Sequence, residues 1–141
     1  MILKREIKMY QNHQILREHN LKATPQRLAI IELMQKHGHI SIDNLYQYIK
    51  EKFHSLSLAT LYKNINIMIG VDLVKEVKIP NNKSKYELTK KPHSHLLCTK
   101  CNEISDVFID LKNIIKECEK NSHYKISETT LLLKGLCPKC N

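Results

Sequence analysis

The chain has 141 residues, with 23 Lys and Arg against 14 Asp and Glu, a formal charge of +9 and a pI near 9.3. That length suits one domain or two small ones, and the basic excess favours a polyanionic partner bound through phosphate contacts and counterion release. No apolar run approaches the ~18 residues that a membrane span needs, charge enters after three apolar residues at the start, and there is no internal repeat or low-complexity tract, so a cytoplasmic location is expected.

Residues 5–19 predict a polar helix with Ile7, Tyr10, Ile15 and Leu16 as its apolar contacts. Thr24-Pro25 starts a second helix, with Thr as N-cap and Pro at the first helical position, where its missing N–H costs nothing. Leu28, Ile31 and Met34 recur at helical spacing, and Gly38 is the expected stop. Ser41 caps a third helix with Ile42, Leu45 and Ile49 on one face. Ser55 or Ser57 begins a fourth, with Leu58, Leu61, Ile65 and Met68 inward and Gly70 closing it. Residues 73–79 and 84–88 read as short strands around the turn Pro80-Asn81-Asn82-Lys83.

A helix-turn-helix followed by a two-stranded hairpin is a winged helix, whose second motif helix enters the major groove. On a helical wheel Ala59, Thr60, Lys63 and Asn66 fall opposite the apolar face, and Tyr62 lies at its flank. Small, hydroxyl, cationic and amide groups are types that meet thymine methyls, base edges and phosphates. The competing reading of the same periodicity is a solvated helix face.

Thr89-Lys90-Lys91-Pro92 has the composition of a hinge. Beyond it, 95–99 and 104–108 read as short strands, 111–119 as a helix and 125–134 as a longer strand-like run. Cys98-Thr-Lys-Cys101 and Cys137-Pro-Lys-Cys140 use four of the five cysteines. Two thiolates three residues apart turn inward from one tight turn, and two such turns complete four sulfur ligands for tetrahedral Zn²⁺. Thirty-five residues separate the knuckles, so the segment between them is expected to be a folded unit whose ends the metal clamps together. Four zinc-bound thiolates would leave residues 89–141, with 9 basic and 6 acidic groups, near neutral; the positive field then falls on residues 1–88, with 14 and 8. Cys118, among Leu111, Ile114 and Ile115, is expected to be a buried apolar thiol. Fold class is therefore α+β: an N-terminal winged helix-turn-helix domain over 1–88, a hinge over 89–92 and a zinc-stapled α/β domain over 93–141.

In His93-Ser94-His95, an extended backbone turns both imidazoles to one side. Asp106 lies on the neighbouring strand, and Glu87 ends the wing. Such nitrogen and oxygen donors suit Fe²⁺, Mn²⁺ or Zn²⁺; the competing reading is a pair of surface or hydrogen-bonded histidines.

Four segments together resemble the ferric uptake regulator family of bacterial metal-dependent repressors. They are Thr24-Pro25-Gln26-Arg27, Ser57-Leu58-Ala59-Thr60-Leu61-Tyr62-Lys63-Asn64, His93-Ser94-His95-Leu96-Leu97-Cys98-Thr99-Lys100-Cys101 and the closing Cys137-Pro138-Lys139-Cys140. The resemblance implies a homodimer that binds palindromic double-stranded operator DNA, with a C-terminal dimerisation domain and a closed, DNA-gripping form favoured by metal. It places structural zinc on Cys98, Cys101, Cys137 and Cys140, and a regulatory Fe²⁺ or Mn²⁺ on His39, Glu87, His93, His95 and Asp106. His39, by its own context an ordinary loop histidine, would join the two domains through the ion. The DNA-facing set it implies is Lys22, Arg27, Ser57, Ala59, Thr60, Tyr62, Lys63 and Asn64, with Lys22 near the minor groove.

A further site of many relatives is absent, because Pro92, Ser94 and Thr129 stand where its ligands would be. Asp106 resembles the peroxide-responsive branch, in which Fe²⁺ reacts with H₂O₂ and a coordinating histidine is oxidised; His39 and His93 are the candidates by position. Glu87 stands where peroxide sensors often have Asp, and it resembles the iron-responsive alternative. Two other classes compete with this reading, a zinc enzyme and a zinc-stabilised RNA-binding protein. An enzyme zinc needs an open position and a nearby acid or base, and the deaminase pairing of H-x-E with P-C-x-x-C is missing.

Overall fold

The computed structural model describes residues 2–141, and the chain divides into two compact units, one ending at Thr89 and the other beginning at Lys90.

The first unit carries four helices, α1 (Ile2–Glu18), α2 (Pro25–His37), α3 (Ile42–Lys52) and α4 (Leu58–Gly70). The last three start where a hydroxyl replaces a missing helical partner. Thr24 accepts from the Arg27 N–H at 3.4 Å, Ser41 from Asn44 at 3.3 Å and Ser57 from Thr60 at 3.1 Å. Ser57, not Ser55, is thus the cap of α4. Gly38, at φ +71°, ends α2 in a backbone conformation that a side chain would strain.

Apolar residues at helical spacing form one core: Ile30, Ile31 and Met34 of α2, Leu45 and Ile49 of α3, and Leu61, Ile65 and Met68 of α4 are all buried. Each such side chain contributes about 1.5–3 kcal/mol through burial. Leu58 is 39% exposed, contrary to the wheel; Leu56, just before the cap, is buried in the core cluster. Among the described side chains of α1, those that reach the core lie in its C-terminal half. Leu16 and Asn12 are buried, with Gln35 donating to Asn12 Oδ1 at 2.9 Å, whereas Ile7 and Tyr10, expected as contacts, are exposed.

The wing is a three-stranded sheet in the order β1 (Ile40–Ser41), β3 (Lys85–Leu88), β2 (Val74–Val77), antiparallel throughout. The two expected strands are present but shorter, since pairing runs only from Val74↔Leu88 to Val77↔Lys85. The third, β1, is two residues long and lacks a periodicity that sequence could reveal. Its register, Ile40 opposite Tyr86, brings the residue before it alongside Glu87.

The second unit is a sheet in the order β5 (Ile104–Val107), β4 (Ser94–Cys98), β6 (Leu132–Gly135), with α5 (Lys112–Ser122) between β5 and β6. The β4–β5 pair is antiparallel, with His95 directly opposite Asp106. The β4–β6 pair is parallel, which requires a crossover, and α5 lies within it. The strand expected over 125–134 contracts to four residues because β4, its only partner, is five residues long. Among the described residues of this unit the buried apolar side chains are Leu97, Cys98 and Ile104, and α5 buries none. Cys118 is accordingly exposed, a correction to the expected buried thiol: the apolar residues near it on α5 are themselves exposed or only partly buried. So small a core does not support a fold of this size without a staple or a partner. No described helix is long and apolar enough to cross a membrane.

Candidate metal centres and nucleic-acid interface

Parallel pairing of Cys98 with Gly135 in register sets the two cysteine knuckles side by side. Thr99 N–H reaches Gly135 O at 2.8 Å, and Asn102, at φ +58°, turns the first knuckle back so that its N–H meets Cys98 O at 2.9 Å. The sulfurs of Cys98, Cys101, Cys137 and Cys140 all lie within 4.8 Å of one another, with Cys101 Sγ and Cys137 Sγ 3.8 Å apart. With Zn–S bonds of ~2.3 Å, adjacent corners of a tetrahedral site stand ~3.8 Å apart. The cluster therefore has the donor type and spacing of a closed zinc site.

The protonation of these thiols points the same way. Backbone N–H groups of Cys101 and Cys137 directed at its sulfur hold the Cys98 thiol down to about 6. Hydrogen bonding to Cys137, together with burial, pushes Cys140 up to about 12. Four thiolates at this spacing repel one another, and a dication removes the conflict by replacing protons with coordinate bonds.

The second donor group in this unit lies on the β4–β5 ladder. His93 Nε2 is 3.1 Å from His95 Nε2 and 3.3 Å from Asp106 Oδ1; His95 Nε2 is 3.7 Å from the same oxygen. His93 donates from Nδ1 to Lys91 O at 2.8 Å, which turns Nε2 towards the other two groups. Donors ~2.1 Å from one ion lie ~3.0–3.4 Å apart in octahedral or tetrahedral sites. The two edges at His93 Nε2 fit a bound divalent ion, and the His95–Asp106 edge, at 3.7 Å, is longer by a few tenths of an ångström.

The first unit holds the other two candidates. His39 Nε2 meets Glu87 Oε2 at 2.8 Å, and both side chains are more than nine-tenths buried. This pairing follows from the register of β1 on β3, and a buried carboxylate beside an imidazole is a ready donor pair for a cation.

The expected nucleic-acid residues cluster at α4 and the turn before α2. Ala59, Thr60, Tyr62 and Lys63 are exposed on α4, with Tyr62 40% exposed, and Lys22 is exposed ahead of α2. The remaining three residues brace this surface. Arg27 Nε donates to Asn64 Oδ1 at 3.1 Å and its Nη1 to Lys22 O at 3.0 Å, so one guanidinium ties the Lys22 turn to α4. Asn64 Nδ2 donates to Thr60 O, and the Ser57 and Thr60 hydroxyls share a hydrogen bond of 2.9 Å. Asn64 and Ser57 therefore position the helix with the same atoms that would otherwise meet bases.

Two features have no sequence signal. Lys91 O orients His93, and the Lys90 ammonium pairs with Asp106 Oδ2. Backbone carbonyls carry no residue signature, and a lysine in a polar connector reads as solvated charge.

A family profile described as ferric uptake regulator family matches residues 18–134. The peroxide-responsive repressor PerR of Staphylococcus epidermidis is 28% identical over 127 residues, covering 89% of this chain and 85% of that protein. Among solved structures, the Campylobacter jejuni peroxide stress regulator is 36% identical with a TM-score of 0.68, covering 90% of this chain and 97% of that one. The Vibrio cholerae ferric uptake regulator is 30% identical with a TM-score of 0.73, over 89% and 99%.

Proposed function

Because the chain belongs to the ferric uptake regulator family, whose members are metal-dependent transcriptional regulators and not enzymes, we propose that it is a dimeric repressor of palindromic operators that senses peroxide. The observation that carries this reading is the triad of His93, His95 and Asp106, three donors gathered within 3.1–3.7 Å of one another on one sheet. Structural Zn²⁺ would be held by Cys98, Cys101, Cys137 and Cys140.

His39 and Glu87 would hold the regulatory Fe²⁺ or Mn²⁺ from the first unit, and His93, His95 and Asp106 from the second. An ion shared in this way couples occupancy to the angle of the DNA-binding unit, because a ligand shifts an equilibrium only by its differential affinity for the two states. When bound, Fe²⁺ supplies the one-electron chemistry by which peroxide is reduced. The imidazoles of His39 and His93 are the oxidisable groups beside it. The exposed apolar residues of the second unit, Phe108, Ile109, Ile114, Leu133 and Leu136, supply the surface that a second copy would cover.

Lys63, exposed on the face of α4, is assigned a phosphate contact, while Tyr62 and Thr60 lie beside it for base edges. Lys63→Ala is expected to weaken binding about equally across duplex sequences and to lower the slope of log K against log salt by ~1 per protomer. Fluorescence anisotropy at graded salt measures this. An unchanged slope would remove Lys63 from the contact set.

Two relatives named for peroxide and the Asp at position 106 support peroxide sensing. Glu87 supports the alternative, an iron-responsive repressor. Titrating Fe²⁺- and Mn²⁺-loaded protein with H₂O₂, while following DNA binding and histidine mass, separates the two. Loss of binding confined to the iron form, with one oxygen atom gained on a histidine, is expected; an indifferent iron form would assign the protein to iron sensing.

A further inference from the structure

The carboxylate of Asp106 is divided between two environments. Its Oδ1 faces His93 Nε2 at 3.3 Å and His95 Nε2 at 3.7 Å, while its Oδ2 is paired with the Lys90 ammonium. The backbone does not choose between these oxygens, since the β4–β5 register only sets Asp106 opposite His95. Lys90 does choose, because an ammonium has three donors, no lone pair and a full charge. Asp106 is one-fifth exposed and Lys90 about one-third, so this pair is partly shielded from solvent.

We infer that Lys90 is a positioning residue that confines Asp106 to single-oxygen coordination and so sets the coordination number and affinity of the regulatory site. The inference rests on the reading of His93, His95 and Asp106 as ligands. With Oδ2 engaged by Lys90, the carboxylate would offer a metal one oxygen rather than two. Without Lys90, Oδ2 loses the ammonium that holds it from binding alongside Oδ1, and a positive charge that opposes a divalent cation is gone. Both changes would strengthen metal binding and raise the coordination number.

The test uses full-length protein with its four-thiolate site loaded with zinc. Mn²⁺ affinity is measured by chelator competition, and coordination number by the visible absorption of Co²⁺ in the second site, in wild type, Lys90→Met, Lys90→Arg and His95→Ala. Lys90→Met is expected to bind Mn²⁺ about tenfold more tightly, within the range over which outer groups tune metal sites, and to weaken the Co²⁺ bands as coordination number rises. Lys90→Arg, which restores a cation on Oδ2, is expected to match wild type. Identical affinity and spectrum in wild type and Lys90→Met, or Lys90→Arg behaving like Lys90→Met, would overturn the role of Lys90 while leaving the ligands standing. Retention of the second Co²⁺ equivalent in His95→Ala would overturn the ligand assignment itself, and the role of Lys90 with it.

Discussion

Cys101→Ser is expected to unfold the second unit while the first stays folded. Structural zinc in small domains contributes about 10–16 kcal/mol near neutral pH, which equals or exceeds the whole stability of a typical domain, about 5–15 kcal/mol. Here the opposing reserve is small, because the buried apolar side chains described in this unit are Leu97, Cys98 and Ile104. The first unit has its own core, from Leu16 to Tyr86, and no cysteine. Heteronuclear NMR of the variant should show collapsed dispersion for residues beyond 90 and native shifts before it, with zinc content falling from one equivalent towards none. A native second unit free of zinc would show that the four thiols are ordinary packing groups. Removing zinc from the wild type with a strong chelator should give the same result, and more readily as pH falls, since protons then compete for Cys140, whose thiol already lies near 12, and for its neighbours.

His39→Ala should abolish most metal-dependent DNA binding and leave zinc and dimer intact. Reversing a 1:99 population of closed and open forms needs ~5.5 kcal/mol of differential affinity, and in the proposed site a ligand from the first unit would make the affinity differential. Loss of that ligand is expected to lower affinity for a duplex selected by the protein about 10–100-fold at limiting Mn²⁺. Alanine also removes the imidazole paired with Glu87, which is 1% exposed, and loss of that contact destabilises the wing. His39→Gln separates the effects: its amide still donates to Glu87 but is a poor ligand, so thermal stability should recover while the metal response does not. Equal DNA affinity in wild type and His39→Gln at limiting Mn²⁺ would reject His39 as the coupling ligand.

Much of the first unit was legible from the chain because its signals are local. Thr24-Pro25, Ser41 and Gly38 act within one helical turn, so a hydroxyl or a glycine at the right place carries its meaning in the sequence. Leu58 failed because a wheel treats every turn as equally covered, whereas the first turn of α4 leaves it 39% exposed and Leu56 is the buried neighbour. Cys118 failed for a related reason: α5 is amphipathic, but none of its residues is buried in a single copy of the chain. The long C-terminal strand failed because strand length is set by the partner, and β4 offers only five residues.

The sequence by itself determined the local chemistry: the paired C-x₂-C knuckles, two imidazoles on one side of a strand, and the capped helix carrying Tyr62 and Lys63. These depend on spacings of two to four residues, which the backbone repeats of strands, turns and helices convert directly into geometry. Tertiary structure alone decided which distant groups meet. His39 stands beside Glu87 through a two-residue strand, Asp106 faces His95 through one register of the β4–β5 ladder, and Lys90 takes one oxygen of Asp106 and leaves the other to the imidazoles. Such pairings are set by register and topology, where a slip of one residue turns every side chain to the opposite face, and no short spacing in the chain encodes them.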